Sequence, residues 1–422
     1  MFTAVATLAT GRSPANSVEK IVLTTAEALK AVLATTPAFP TVRVAAADST
    51  GRVLRQLIRA ERDQPPFDRV MMDGIAFAWA DYVSGQRRFP IQAMQAAGDA
   101  VLTLENGQCI EIMTGAAMPA NANCIVPVER ITVTDGVAEI EADYEISKDR
   151  FLHPRGSDYA QGAYMLRPGK RVSPLDIAII ASCGETEVDV AADPVIRIIS
   201  TGNELVAAGA PIQPQQIRMS NGPAILALLE SHGYRRNEHE HIADDVDALR
   251  GRLAIHLQEA DVLVLSGGVS MGKADYVPQV LTDLGVSVVF HKISQKPGKP
   301  MWFGKGPGDQ IVFALPGNPV SALVCCRQYL IPALAKASGA NETPPEFAAL
   351  ATNISFTPEL TCFQPVKLIS NAAGQTLAMP VQTNTSGDFA ALSATDGYVE
   401  LAKDQSEFPS GTAVFLHRWI AR

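Results

Sequence analysis

The sequence lacks the features that mark zinc-bound or membrane-spanning proteins. Its six cysteines include no Cys-x-x-Cys pair, and no histidines stand beside them at ligand spacing, so a structural zinc site is not expected. Apolar runs are short: residues 177–183 form one of the longest, well below the roughly 18 residues that a spanning helix needs. Because these few cysteines lie in apolar stretches, we expect reduced core residues in a cytoplasmic protein.

The chain also lacks any run of lysines and arginines. Its formal net charge of -9 gives no long-range attraction for a polyphosphate backbone, so neither nucleic acid nor a membrane is an expected partner. The first 15 residues have no basic residues ahead of their apolar part, unlike a secretory signal. A small anionic substrate stays possible, since a few lysines at one cleft can act locally.

What the sequence does contain is a succession of differently patterned segments. Thr24 and Glu27 form a capping-box pattern that predicts a first helix, and short strands are expected at residues 41–45 and 52–57. Residues 67–150 carry short β-like runs without a long amphipathic helix. This segment is predicted to be a small β-rich domain inserted into the first domain.

Residues 194–340 alternate apolar strands with amphipathic helices, which predicts a mostly parallel sheet covered on both faces. The expected strands are 195–200, 262–265, 286–290 and 311–315, and the expected helices are 223–229, 246–257, 276–284 and 320–337. From residue 347 the pattern returns to short alternating runs, typical of a small β-barrel or sandwich. The predicted fold class is therefore multi-domain, α/β plus β.

Two turns at strand ends are candidate ligand loops. Ser266, Gly267 and Gly268 follow an apolar strand, and glycines there let backbone N–H groups approach a phosphate or a planar ring; an ordinary tight turn is the alternative. The stiff turn Leu315-Pro316-Gly317-Asn318-Pro319 follows another strand. It could form a rigid wall, or Asn318 or Ser321 could simply cap the next helix.

Charged residues suggest a phosphate chemistry. Lys296 and Lys299 lie in a Lys-Pro-Gly-Lys-Pro run whose restricted backbone could present two cations to an oxyanion. Four acids sit at the ends of elements and could hold Mg²⁺ with substrate phosphates, although each could equally be a helix cap or a turn residue. They are Asp73, Glu204, Asp244 and Asp275.

Taken in order, these segments resemble the molybdopterin molybdenumtransferase family, relatives of the gephyrin C-terminal region. The resemblance spans about residues 18–418, and its individual motifs are short while their ordered set is specific. The motifs are Pro66-Phe67-Asp68, Met72-Asp73-Gly74, Ile112-Met-Thr-Gly115, Arg155-Gly156-Ser157-Asp158, Ser200-Thr-Gly202 with Glu204, Ser266-Gly-Gly-Val-Ser270 with Asp275-Tyr276, Lys296-Pro-Gly-Lys-Pro300 and Leu315-Pro-Gly-Asn-Pro319.

The resemblance implies four domains: residues 18–66 with 151–190 (dimerisation), 67–150 (β-rich lid), 191–340 (α/β, molybdopterin-binding) and 341–422 (small β-barrel). It implies a cytoplasmic homodimer that converts adenylylated molybdopterin and molybdate into molybdenum cofactor and AMP with Mg²⁺. Other cofactor-biosynthesis proteins and recipient molybdoenzymes are candidate partners. The cleft would lie between the α/β domain of one subunit and the lid of the other.

The resemblance also assigns roles. Asp73 and Thr114 would act across the interface, Glu204, Asp244 and Asp275 would act at Mg²⁺ and the anhydride, and Lys296 and Lys299 would favour anion binding. The implied substrate-binding residues are Ser266, Gly267, Gly268, Ser270, Gly272, Lys296, Lys299, Pro316, Gly317, Asn318, Pro319 and Ser386. Lys367 is the one candidate for the family's molybdate-binding basic residue.

The sequence departs from the family pattern at Arg69, Val70, Met71 and Ile75 near the lid motif, and at Asp388 after Ser386. These departures keep two alternatives open. One is a paralogue that binds or carries molybdopterin or the finished cofactor without inserting metal, although the acids argue against it. The other is a gephyrin-like scaffold, for which the sequence offers no long linker. Molybdate and tungstate are not distinguished.

Overall fold

The computed structural model describes residues 22–269, 276–357, 359–382, 385 and 387–420. The chain divides into two compact units. Val42–Val190 is called the insert unit, and Met1–Thr41 with Ala191–Arg422 is called the main unit. In the part of the chain that the structure describes, we find no helix with the length and apolar character that a bilayer crossing demands.

The insert unit is built on a six-stranded sheet. From edge to edge its strands are Cys124–Pro127, Gly74–Phe77, Cys109–Ile112, Arg88–Gln95, Val137–Ile140 and Ile131–Thr134. Ile75, Phe77, Ile110 and Ile112 are fully buried in one apolar cluster. Its described helices are short, Trp79–Val83 and Pro174–Ser182. The β-rich character predicted for residues 67–150 is confirmed.

Three short strand pairs complete the insert unit. They are Thr41–Ala45 with Glu187–Ala191, Ile58–Arg59 with Tyr164–Leu166, and Arg69–Val70 with Leu152–His153. The predicted strand at residues 52–57 is wrong. Val53 bridges Arg171 while Leu54 bridges Val190, so the chain changes partner after one residue and no ladder forms before Ile58.

The main unit begins with the helix Thr25–Thr35, whose predicted capping box is confirmed. Glu27 N–H donates to the Thr24 hydroxyl at 3.2 Å, and Thr24 N–H donates to the Glu27 carboxylate at 2.9 Å. Ala28 and Val32 lie on the buried face of this helix, in the same apolar cluster as the central sheet.

The central sheet of the main unit has six strands. In spatial order they are Asn237–Ile242, Ile196–Thr201, Val262–Ser266, Ile311–Leu315, Trp302–Lys305 and Ser287–His291. The first four are parallel and the last two run antiparallel to their neighbours. Alternate residues of one strand enter two separate clusters, as Ile198 and Ile199 do, so both faces are buried as predicted. The helices are Asn221–Ser231, Val246–Glu259, Val277–Asp283, Pro319–Cys325 and Ile331–Ala337.

Two features of the central part were not predicted. The strands Asn237–Ile242 and Trp302–Lys305 were missed, the first because its Asn-Glu-His-Glu-His sequence has little apolar signal and lies at a sheet edge. The predicted continuous helix 320–337 is interrupted by a π-helical turn, Cys326–Leu330. Pro332 has no N–H to continue the regular hydrogen-bond ladder, which favours such an interruption.

The C-terminal part is a closed barrel, as predicted. Its five ring strands are Thr361–Ser370, Thr376–Pro380, Glu346–Leu350, Ala413–Arg418 and Gly397–Leu401, the last pairing again with the first. The short strand Gln295–Lys296 joins Thr361–Ser370 from outside the ring. Two further pairs are Ile354–Ser355 with Glu407–Phe408, and Leu205–Val206 with Ile217–Arg218. The short strand Gln295–Lys296 therefore places the two-lysine run beside the barrel.

Candidate functional site

A cavity of about 440 Å³ lies at the carboxyl ends of the parallel strands in the main unit. Within the central sheet, Ile196–Thr201 lies between Asn237–Ile242, the sheet strand that follows it in sequence, and the later strand Val262–Ser266. Such a reversal of strand order is the position where open α/β sheets bind ligands. The lining residues come from strand ends, a helix start and the C-terminal part: Ser200, Thr201, Glu204, Leu205, Ile217, Arg218, Met219, Ser220, Asn221, Ser266, Gly267, Gly317, Asn318, Pro319, Gly387 and Phe389.

Five of the residues predicted to bind substrate, Ser266, Gly267, Gly317, Asn318 and Pro319, thus share this cavity with Glu204. Pro316, which precedes Gly317, is buried, and Gly268 follows Gly267. Asn318 stands at the N-cap position of Pro319–Cys325, yet its side chain makes no capping hydrogen bond. The four predicted residues Ser270, Gly272, Asp275 and Ser386 lie outside the described residues.

Close packing explains the two glycines after Ser266. A Cβ on Gly267 would lie 2.4 Å from the Thr201 carbonyl oxygen, and a Cβ on Gly268 would lie 2.9 Å from Val277 Cγ2. Both glycines also have positive φ, +104° and +64°, which larger residues rarely adopt. The turn can therefore lie directly against the end of the neighbouring strand.

Asn221 joins the two predicted ligand loops and was missed by sequence reasoning. Its side-chain Nδ2 donates to Ser266 Oγ at 2.8 Å and to the Gly317 carbonyl oxygen at 2.7 Å. The predicted helix began two residues later, at Pro223, and so did not include Asn221. Only the fold brings its partners, 45 and 96 residues away in sequence, together.

Ser200 has a histidine partner that was also missed. Its hydroxyl lies 2.9 Å from His239 Nε2, and a Cβ on Gly222 would fall 2.0 Å from the same nitrogen. Burial, and to a lesser degree the neighbouring His241, lowers the pKa of His239. A neutral imidazole thus supports the cavity wall at Ser200 and the start of the helix Asn221–Ser231.

Among the described lining residues, Glu204 is the only anion and Arg218 the only cation. Arg218 is held by the carbonyl oxygens of Ala207 and Ala210, at 2.8 Å and 2.7 Å. The cavity therefore combines one fixed positive charge with one carboxylate. Sequence reasoning did not select Arg218, because no motif surrounds it.

The chain brings Asp244 beside the segment that carries Glu204. Asp244 N–H donates to the Asn203 side chain at 3.1 Å, and His241 Nε2 lies 2.8 Å from the Gly202 carbonyl oxygen. The Glu204 carboxylate folds back over Gly202, since a Cβ there would lie 2.7 Å from its oxygens. The neighbouring Asp245, not Asp244, caps the following helix by accepting from Ala248 N–H at 2.8 Å.

Lys296 and Lys299 are exposed and are not among the described residues that line the cavity. The Lys296 ammonium lies 5.6 Å from the ring centroid of Phe356, in the C-terminal part. Lys367 is exposed on the strand Thr361–Ser370. The two-lysine run is thus held next to the barrel.

In the insert unit, Asp73 and Thr114 form a pair. Thr114 donates to Asp73 Oδ1 through both its backbone N–H and its hydroxyl, each at 2.7 Å. The hydrogen bond from the Thr114 backbone, followed by that from its hydroxyl, holds the pKa of Asp73 below its ordinary value. Two residues that were each predicted to act across the interface are thus in direct contact, and the contact holds an exposed carboxylate in its ionised form.

Comparison with known proteins agrees with this architecture. Residues 23–184 match the family model for the MoeA N-terminal region (domain I and II), residues 197–336 that for a probable molybdopterin binding domain, and residues 348–418 that for the MoeA C-terminal region (domain IV). A molybdopterin biosynthesis protein of Pyrococcus horikosii has a crystal structure that superposes with a TM-score of 0.80 at 26% identity, covering 95% of this chain and 100% of that one.

Two curated relatives carry the name of the same enzyme. The chain is 36% identical to the molybdopterin molybdenumtransferase of Synechocystis over 94% of its own length and 100% of the relative's. It is 28% identical to the enzyme of that name from Staphylococcus epidermidis, over 92% and 93% of the two lengths. The chain therefore belongs to the molybdopterin molybdenumtransferase family.

Proposed function

We propose that this protein is a transferase that inserts molybdenum from molybdate into adenylylated molybdopterin and releases AMP. The observation that carries the proposal is the cavity in which Glu204, the Ser266-Gly267 turn and the Gly317-Asn318-Pro319 turn converge. Its volume of about 440 Å³ is within the range of small-molecule sites. The curated relatives bear the name of this activity rather than that of a carrier, which favours the transferase over the carrier alternative.

The two turns would hold the pterin nucleotide. Glycines at Gly267 and Gly268 leave backbone N–H groups close to the ligand, and Asn221 keeps the turn at Ser266 in a fixed relation to Gly317. Ser270 and Gly272 continue this role in the proposal. Arg218 adds a positive charge on the cavity wall for a phosphate.

Mg²⁺ is the metal ion in the proposal, and acids at this edge of the sheet would hold it. Glu204 lines the cavity, and Asp244 lies at the adjacent strand end without serving as the helix cap. Within the described ranges, no group of three His, Cys, Asp or Glu side chains is placed to hold a metal ion. In the proposal Glu204, Asp244 and Asp275 hold the ion together with substrate oxygens, as Mg²⁺ prefers. Mg²⁺ would neutralise charge at the phosphoanhydride.

The chemistry needs charge neutralisation and positioning more than a protein nucleophile. The anhydride must be cleaved while a tetrahedral oxyanion is brought to two thiolates. Lys296, Lys299 and Ser386 are proposed to attract and hold that oxyanion. The alternation of exposed lysines with a rigid Pro-Gly backbone supports this role.

We further propose a cytoplasmic homodimer in which Asp73 and Thr114 of one subunit act on the cavity of the other. The contacts with Thr114 support this role, because they hold the exposed Asp73 carboxylate in one orientation and in its ionised form. The proposal keeps the four domains at residues 18–66 with 151–190, 67–150, 191–340 and 341–422. Other cofactor-biosynthesis proteins and recipient molybdoenzymes remain candidate partners.

The test is AMP release from adenylylated molybdopterin by the purified protein with Mg²⁺ and molybdate. We expect molybdate-dependent AMP that is lost in Glu204→Gln, Asp244→Asn and Asp275→Asn. Asp245→Asn is the matched control for Asp244→Asn: it is the adjacent acid, and asparagine caps a helix as well as aspartate does, so activity should be kept. Tight pterin binding without AMP release, unchanged in the acid variants, would favour a carrier instead.

A further inference from the structure

The two-lysine loop, residues 296–300, is anchored by a buried glutamine. Gln295 is 1% exposed, and its side-chain Nε2 donates to the Pro297 carbonyl oxygen at 2.9 Å and lies 3.4 Å from Cys325 Sγ. Because a carbonyl oxygen can only accept, this contact fixes which end of the Gln295 carboxamide is nitrogen. Its Oε1 must then accept a hydrogen bond from elsewhere.

That donor is the hydroxyl of Tyr329, which is fully buried and hydrogen bonds to Gln295 Oε1. Burial raises the pKa of Tyr329, so the hydroxyl keeps its proton. Tyr329 belongs to the π-helical turn Cys326–Leu330 that interrupts the long helix. The turn thus delivers a hydrogen-bond donor to the side chain that supports the loop.

The middle of the loop is packed as tightly as its start. A Cβ on Gly298 would lie 2.4 Å from Cys325 Sγ and 2.6 Å from Gln295 Nε2, and Gly298 has a φ of +96°. After it, Ile293 N–H donates to the Lys299 carbonyl oxygen at 2.9 Å. The backbone between the two lysines is therefore held by Gln295 and Cys325, while both lysine residues are exposed.

The same π-helical turn makes a second, equivalent contact that avoids the loop. The hydroxyl of Tyr398, on a barrel strand, donates to Gln328 Oε1 at 2.9 Å. Tyr398 is also fully buried. Adjacent residues of one turn, Gln328 and Tyr329, therefore take part in two buried tyrosine–glutamine bonds, and only the Tyr329–Gln295 bond reaches the two-lysine loop.

We propose that Tyr329 and Gln295 are positioning residues that hold the two-lysine loop in the arrangement in which Lys296 and Lys299 bind the oxyanion substrate. This inference rests on the function proposed above. Neither side chain touches the substrate; Tyr329 acts on Gln295, and Gln295 acts on the loop backbone. The π-helical turn is the feature that brings the tyrosine within reach.

The test compares Tyr329→Phe with Tyr398→Phe in the full-length protein. Each change removes one buried hydroxyl and leaves one glutamine oxygen without its donor. Steady-state AMP release is measured against molybdate concentration and, separately, against adenylylated molybdopterin, and the thermal midpoint of each variant is recorded. We expect Tyr329→Phe to raise KM for molybdate about tenfold, the effect of losing roughly one hydrogen bond's worth of preorganisation, with kcat and KM for the pterin unchanged.

Tyr398→Phe should lower the thermal midpoint about as much as Tyr329→Phe does, because each variant loses one buried hydrogen bond. It should leave KM for molybdate within twofold of the original protein. An unchanged KM for molybdate in Tyr329→Phe, or an equal rise in both variants, would overturn the inference. Lys299→Met separates it from the proposed function. If KM for molybdate is unchanged in Lys299→Met, the proposed role of the loop in anion binding is wrong. If KM for molybdate rises in Lys299→Met but is unchanged in Tyr329→Phe, only the positioning role is wrong.

Discussion

At the scale of single residues, the most informative group is the carboxylate of Asp73. It is exposed, yet two donors from Thr114 converge on one of its oxygens. Hydrogen bonds to the charged form favour ionisation, so this residue keeps its negative charge at lower pH than an ordinary aspartate does. An ionised carboxylate of this kind is suited to accept a hydrogen bond from a donor group and orient that group. It is not suited to supply a proton near neutral pH.

Thr114→Val tests this arrangement because it removes the hydroxyl donor and retains the backbone donor. We expect the pKa of Asp73, measured by NMR titration of its carboxyl carbon, to rise toward the ordinary value of about 3.9. The lowered pKa implies stability that is present above the unfolded-state pKa and lost as pH falls through the folded-state pKa. The variant should therefore be less stable than the original protein near neutral pH, with the difference vanishing in acid.

A pKa of Asp73 that does not move in Thr114→Val would mean that the backbone bond alone sets it. Thr114→Ser serves as the control, since serine keeps a hydroxyl at the same position. Its pKa for Asp73 should stay close to that of the original protein.

At the scale of elements, the strand Gly74–Phe77 positions Asp73 through a close approach to its neighbour. A Cβ on Gly74 would lie 2.0 Å from the Val126 carbonyl oxygen and 2.9 Å from Pro127 Cα. The strand lies between Cys109–Ile112 and Cys124–Pro127, and Val128 N–H donates to the Asp73 carbonyl oxygen at 2.9 Å. The glycine therefore lets the strand start directly after the Asp73 carboxylate.

Gly74→Ala should displace the strand, because backbone atoms cannot yield to the added methyl as a side chain could. We expect a loss of roughly 2 to 4 kcal/mol in the free energy of unfolding, measured by denaturant titration. Gly136→Ala in a hairpin turn of the same sheet is the matched control. Gly136 also has positive φ, but nothing lies within 4 Å of its added Cβ, so only the backbone term of about 1 kcal/mol should appear. Equal losses would show that crowding at Gly74 is unimportant.

At the scale of the whole molecule, the candidate groups are divided between two compact units. Asp73 and Thr114 belong to the insert unit, while Glu204 and the ligand loops belong to the main unit. The proposed dimer assembles one active site from units of different chains. This arrangement makes a prediction that a site contained within one chain does not.

Mixing an inactive Asp73→Asn protein with an inactive Glu204→Gln protein, followed by subunit exchange, should restore AMP release. Random pairing makes half of the dimers mixed, and each mixed dimer has one intact site of two, so about a quarter of the original activity is expected. Either variant mixed with itself is the control. No recovery after exchange, verified by co-purification of one untagged variant with the other carrying an affinity tag, would place the whole site within one chain.

The sequence predicted the elements that depend on a local pattern of residues. The strand Ile311–Leu315 and the capping box at Thr24 follow from apolar runs and capping chemistry alone, and both are observed. The strand Asn237–Ile242 was not predictable in this way, because its stability comes from a neighbouring strand rather than from apolar side chains. Asn221 likewise depends on partners far away in sequence.

The residues of the candidate site also fall into those that local sequence motifs predict and those that depend on the fold. Motif spacing identified both ligand loops and Glu204, since glycine and proline mark special backbone positions whatever the surroundings. Arg218 and the His239–Ser200 contact carry no local signal and emerge only when strand ends are brought together. The support of the two-lysine loop by Tyr329 depends on an irregular helical turn that periodicity reads as continuous helix.

The six cysteines are all free and buried, distributed among the cores of the insert unit, the central sheet and the barrel. Burial raises the pKa of Cys109, Cys326 and Cys362 to about 12, about 12 and about 11. A protein proposed to load a metal onto a substrate's two sulfur atoms therefore presents no thiolate of its own to the incoming metal. In the proposed reaction, burial of the six cysteines would leave the two sulfur atoms of the substrate without a competing protein thiolate for the incoming metal.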